Sequence, residues 1–131
     1  MITINDPYSS TPLNIRKREI RLMKLEHSLV SEPLKCSLHS YTIDGKRPEY
    51  IALSYCWGPK TKHNDIQLNG VTHAVGRSLW AFLHQIRAQQ HHITFWIDAL
   101  CINQSESKIH ERNHQVEMMR DIYSSVRSVW V

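Results

Sequence analysis

Thr94-Phe95-Trp96-Ile97-Asp98-Ala99-Leu100-Cys101-Ile102 is the stretch that decides the fold. Its only charge is Asp98, set in an otherwise almost continuous apolar run. The run is too short and too continuously apolar for a surface helix. It reads as a strand buried on both faces, the kind found in parallel sheets covered by helices. A carboxylate inside such a strand must be paired or protonated, because burying a lone charge is costly. Asp98 is therefore either a carboxylate of a functional site or the structural partner of Arg112 or of backbone N–H groups.

Working outward, Ser78 to about Gln89 is predicted helical. Leu79, Leu83 and Ile86 recur at helical spacing, Trp80 and Phe82 broaden that face, and Ser78 is placed to cap it. Before it, Ile66-Gln67-Leu68, Asn69-Gly70 and Val71-Thr72-His73 form a hairpin pattern. Asn-Gly is the preferred pair of a type I′ two-residue turn. Tyr50-Ile51-Ala52-Leu53-Ser54-Tyr55 reads as a central strand opening into a loop at Cys56-Trp57-Gly58-Pro59. Residues 20–25 and 36–43 read as two earlier strands. The second ends at Asp44-Gly45, a turn pair in which glycine is expected at positive φ.

After Ile102 a second helix is expected from Ser105, capped by Ser105 or Ser107. Its buried stripe is predicted to be Ile109, Val116, Met119, Tyr123 and Val126. Ser128 to Val131 looks like a strand just beginning. Strand, helix, strand, helix, strand implies a parallel sheet with right-handed crossovers, and the hairpin and early strands add antiparallel members.

The 131 residues suit one domain, with residues 1–15 expected as a flexible, Pro-broken arm and 16–131 as the domain. Net charge is +4 with histidines neutral, much of it in Ile15-Arg16-Lys17-Arg18-Glu19-Ile20-Arg21. That run lacks interleaved aromatics and reads as a solvated lead-in to the first strand. A nucleic-acid partner is not expected. Cys36, Cys56 and Cys101 are an odd set in apolar runs without C-x-x-C spacing, which points to buried thiols in a reducing cytoplasm. Neither a signal peptide nor a membrane span is expected.

One motif competes with this reading. His110-Glu111-Arg112-Asn113-His114 matches H-E-x-x-H, the two-histidine zinc pattern with a general-base glutamate. A third ligand is hard to find after it, and the positions of a metzincin extension hold Glu117 and Arg120. His110 lies about 120° and His114 about 160° around the helix from Val116, so the pair is expected to face outward. No metal is expected.

Three longer signatures are more specific. Tyr50-Ile51-Ala52-Leu53-Ser54-Tyr55-Cys56-Trp57-Gly58 resembles the first motif of the fungal heterokaryon-incompatibility (HET) domain family. Trp96 to Gln104 resembles the second, W-I-D-A-x-C-I-N-Q. Glu111-Arg112, Gln115-Val116, Met119 and Ile122-Tyr123 resemble its E-R-x-x-Q-V-x-x-M-x-x-I-Y helix. Smaller matches at Arg21-Leu22, Cys36, Leu38, Ile66, Asn69-Gly70 and Leu79 to Arg87 extend the resemblance over about residues 20–131. Glu111 and Arg112 belong to the motif, while His110 and His114 fall at its variable positions.

The resemblance implies a TIR/flavodoxin-like α/β sheet flanked by helices. It also implies a role in non-self recognition, with cell death triggered through assembly or partner binding. Some TIR domains cleave NAD, so NAD as a substrate is the alternative, with no cofactor required. The catalytic glutamate of those domains follows the third parallel strand, and this chain stops as that strand begins. The domain is therefore expected to be incomplete at its C-terminal side and weak or inactive on NAD alone. Expected partners are other regions of a longer protein and a second copy of the chain.

The candidate ligand-binding residues are Ser54, Tyr55, Trp57, Gly58, Asn103 and Gln104, beyond the strand ends. Trp57 and Tyr55 either stack a nucleotide or plug the sheet end. Asp98 and Glu111 are the catalytic candidates. Asp98, Arg112, Gln115 and Tyr123 form the structural motif, with Glu111 or Arg112 turning inward to meet Asp98.

Overall fold

The computed structural model describes residues 6–29, 31–53, 63–89, 92–125 and 128–130. Seven strands form one mixed sheet: β1 (Glu19–Leu25), β2 (Lys35–Thr42), β3 (Ile51–Leu53), β4 (His63–Leu68), β5 (Val71–Gly76), β6 (Thr94–Ile97) and β7 (Ser128–Trp130). Three helices accompany them: α1 (Arg77–Ala88), α2 (Asp98–Cys101) and α3 (Ile109–Ser124), the last preceded by a 3-10 turn at Glu106–Lys108. The spatial order is β5-β4-β2-β1-β6-β3-β7.

The expected parallel core is present. β3 pairs in parallel with β6 on one side and β7 on the other, so the first strand of the trio lies between the second and third. This is the open, doubly wound order. β1 is antiparallel to both β2 and β6 and joins the trio to the hairpin half of the sheet. There β2 is parallel to β4, and β4 antiparallel to β5.

The two long helices cover opposite faces. Neighbouring residues on a strand point to opposite sides. Phe82 of α1 meets Phe95 edge-on with ring centroids 5.7 Å apart, and Tyr123 of α3 meets Trp96 at 5.5 Å. Opposite faces are what right-handed crossovers require when the chain moves first one way from β3 and then the other. Both faces of β6 are thus covered, and Phe95, Trp96 and Ile97 are fully buried.

Several expectations are corrected. The apolar run 94–102 is not one strand: it stays extended to Ile97 and then turns helical at Asp98. Asp98 therefore sits at the end of a strand and the start of a helical turn, half-buried rather than enclosed. α1 begins after Gly76, in extended conformation, and Ser78 does not cap it. Ser105 precedes the 3-10 turn without a side-chain capping bond. Gly45 closes its turn by donating its N–H to the Thr42 carbonyl at 3.0 Å, without positive φ. Asn69 and Gly70 do take positive φ, 51° and 78°, as the type I′ turn demands.

The largest correction concerns α3. Its buried line is Glu111, Gln115, Met118 and Ile122. Ile109 and Val116 are 44% and 52% exposed, Met119 and Tyr123 flank the core, and Val126 lies outside the described residues. The inward line is half polar because two of its members satisfy buried polar groups, so apolar periodicity selected the wrong side of the helix.

Candidate functional site

The corner where β6 becomes α2 is built around Asp98. Its carboxylate accepts the Ala99 N–H at 2.8 Å, and its carbonyl accepts the Ile102 N–H at 3.2 Å and the Gln104 side-chain amide at 3.3 Å. These bonds convert the strand into a helical turn within one residue. The Ile97 N–H reaches the Cys101 sulfur at 3.4 Å, and burial pushes the Cys101 thiol up to about 12. Asn103 is buried, and its side-chain oxygen accepts the Ser105 N–H at 3.0 Å. Asn103 and Gln104 thus lie beyond β6 as expected, but both hold the corner together.

A small polar cluster lies on the α3 side. Burial first, and the Asp98 charge second, raise the Tyr123 phenol above its ordinary pKa. The Trp96 ring packs on Tyr123 and is wholly buried, yet its indole N–H has no hydrogen-bond partner among the described residues. The Trp96 and Tyr123 rings are in contact, and the phenol lies close enough to Asp98 to feel its charge. Ser54, Tyr55, Trp57 and Gly58 lie outside the described residues.

The second centre was not anticipated. Arg21, read as the end of a solvated basic run, is only 1% exposed. Its Nε donates to the Thr11 carbonyl at 2.8 Å, Nη1 to the Cys101 carbonyl at 3.3 Å and Nη2 to the Glu111 carboxylate. The Tyr8 ring lies under the guanidinium at 4.9 Å, and burial raises the Tyr8 phenol well above its ordinary pKa. One side chain thereby joins the N-terminal segment, β1, α2 and α3. Tyr8 and Thr11 are buried, so part of the expected arm is in contact with the core. Arg16, Lys17 and Arg18 are exposed, as a solvated run predicts.

Glu111 is therefore the motif residue that turns inward, and it meets Arg21 rather than Asp98. Arg112 stays half-buried and makes no ion pair among the described residues. The Gln115 amide donates to the Glu19 carbonyl at 2.8 Å, fastening α3 to β1, while its own oxygen is buried without a partner among the described residues. Tyr50 donates its hydroxyl to the Ile122 carbonyl at 2.7 Å and ties β3 to the same helix.

The H-E-x-x-H geometry fails in its middle. His110 is exposed and His114 half-buried, but Glu111 between them points into the core against Arg21. Val116, the reference for the expected outward placement, is itself outward. Among the described residues no group of three His, Cys, Asp or Glu side chains could hold a metal ion.

Likeness to known proteins follows the same residues. The family described as heterokaryon incompatibility protein (HET) matches residues 50–131, from the strand lead-in at Tyr50 through β7. Heterokaryon incompatibility protein 6, OR allele, of Neurospora crassa is 35% identical over an alignment covering 95% of this chain. The chain spans about a fifth of that relative's length, 20%. No solved structure matches. The matched region takes in the β6–α2 corner, Tyr50, Glu111, Gln115 and Tyr123, and on that ground the chain belongs to the heterokaryon incompatibility (HET) family.

Proposed function

We propose that this chain is an effector domain of fungal heterokaryon incompatibility, acting in non-self recognition and triggering cell death through assembly or partner binding. The observation that carries the reading is where the family's signature side chains go. Tyr50, Glu111 and Gln115 are engaged inside the fold, with an α3 carbonyl, Arg21 and the β1 backbone. A carboxylate held by a buried guanidinium is poorly placed for general-base work, because proton transfer needs reach to a substrate. A role carried by surface and shape fits these residues better. The site of action is the cytoplasm, consistent with the buried, reduced Cys36 and Cys101, and the partners are other regions of a longer protein or further copies of the chain.

Cleavage of NAD is the second reading. It draws on the Trp96–Tyr123 ring contact and the Asp98 charge felt by Tyr123, beside the end of β6 in a sheet of doubly wound order. NAD would then be a substrate, with no bound cofactor needed.

The test is inducible expression in a fungal host, scoring viability, beside NAD turnover by the purified protein. Death without turnover supports the effector reading. Turnover lost on Asp98→Asn in protein that still folds would transfer the conclusion to the enzyme. Unaffected viability at confirmed expression, fused or unfused with an incompatible strain, would overturn the effector reading.

A further inference from the structure

We infer that β5 is a docking edge through which two copies of this chain pair, antiparallel, about a two-fold axis. This deepens the assembly reading by naming a surface for it, and rests on that reading only for its biological use.

β5 ends the sheet order, and no described residue pairs with its outer side. The two-residue turn at Asn69-Gly70 makes Leu68 and Val71 a hydrogen-bonded pair. By alternation the main-chain groups of Val71, His73 and Val75 point to β4. Those of Thr72 and Ala74 point away from the sheet, and both residues are exposed. Among the described residues nothing pairs with this short row of donors and acceptors.

Edges of this kind are ordinarily blunted by a charge, a proline, a bulge or a very short strand. β5 has six residues, Val71-Thr72-His73-Ala74-Val75-Gly76, with no Lys, Arg, Asp, Glu or Pro among them. Its register with β4 runs unbroken from His63 and Gly76 to Leu68 and Val71, without a bulge.

The occupant follows from the symmetry of the row, and charge decides where two copies meet. At a net charge of +4, two copies repel over most approaches. A strand without charged residues is where they meet with least repulsion. Antiparallel pairing about a two-fold lets Thr72 of one copy bond Ala74 of the other, and Ala74 bond Thr72 in return. The same short row is used twice, and the contact closes at two copies.

Sedimentation equilibrium of the chain over about a hundredfold range of concentration tests this. The expected mass rises from 15.4 kDa toward twice that value. Ala74→Lys places a charge on the row. Ala74→Pro removes one outward donor while leaving the bonds to β4. Both variants keep the circular dichroism of the parent and associate at least about tenfold more weakly. Hydrogen exchange at Thr72 and Ala74 slows as the parent is concentrated. A parent that stays monomeric throughout overturns the inference. So does association that both variants leave unchanged. Variants that fail to associate yet still kill would support β5 pairing and sink assembly as the route to cell death.

Discussion

Glu111→Ala is the perturbation that tests the architecture most directly. It removes the only anion paired with Arg21 among the described residues and leaves the guanidinium, 1% exposed, with two carbonyls and the Tyr8 ring. Breaking a buried ion pair from one side costs about 3–5 kcal/mol, because the remaining charge stays desolvated. A domain of this size has only about 5–15 kcal/mol in total. The loss therefore lowers Tm by roughly 9–25 °C, at about 3–5 °C per kcal/mol for this length. Glu111→Gln keeps an acceptor oxygen at the same place and loses the charge, costing about 1–2 kcal/mol, since a neutral hydrogen bond is about half as strong as a charge-assisted one. Arg112→Gln, one residue along and without an ion pair among the described residues, changes stability by no more than about 0.5 kcal/mol. Urea denaturation followed by circular dichroism, at one dilute concentration, measures all three. If Glu111→Ala costs under about 1 kcal/mol, or no more than Arg112→Gln, the pair does not organise the fold and Arg21 is not its anchor.

Three further outcomes follow from other contacts. Tyr50→Phe removes the bond to the Ile122 carbonyl and destabilises by about 1–2 kcal/mol in the same denaturation assay, and an unchanged midpoint would show that the β3–α3 tie is idle. Burial lowers the pKa of His73, so its NMR titration midpoint lies below 6.5. The unfolded chain then binds the proton first as pH falls, and the stability contributed by neutral His73 is present above about pH 6.5 and declines below it. A midpoint above 6.5 contradicts its placement. Burial raises Cys36 and Cys101 to about 12, so mass-mapped iodoacetamide labelling at pH 8 modifies them only when the chain unfolds.

Much of the fold was legible because its signals are local. Asn69-Gly70 announced the type I′ hairpin, and Leu79, Leu83 and Ile86 the core face of α1. The α/β order with a parallel centre also came through, since Ile51-Ala52-Leu53 and Phe95-Trp96-Ile97 are apolar on both faces. Two features were hidden for opposite reasons. Asp98 to Cys101 is apolar enough to continue a strand, and only the hydrogen bonds that Asp98 makes turn it helical. On α3 the inward Glu111 and Gln115 look like surface residues, while exposed Ile109 and Val116 look like core. Arg21 was obscured by its basic neighbours. The one available clue was its place in Ile20-Arg21-Leu22-Met23, a cation inside an apolar strand, matched by a carboxylate on a later helix.

The position of Arg21 also bears on how the chain reaches this state. Its three hydrogen-bond partners lie 10, 80 and 90 residues away. β1 can zip onto β2 early, since only a short loop separates them, but its other side waits for β6. Closing such distant contacts carries a loop-entropy cost before any reward, which slows folding. During synthesis β1 must therefore persist as a half-covered strand until residues beyond Glu111 have emerged, with a guanidinium waiting at its side. That interval is when an emerging chain is most exposed to mispairing, and a folding assistant would act there.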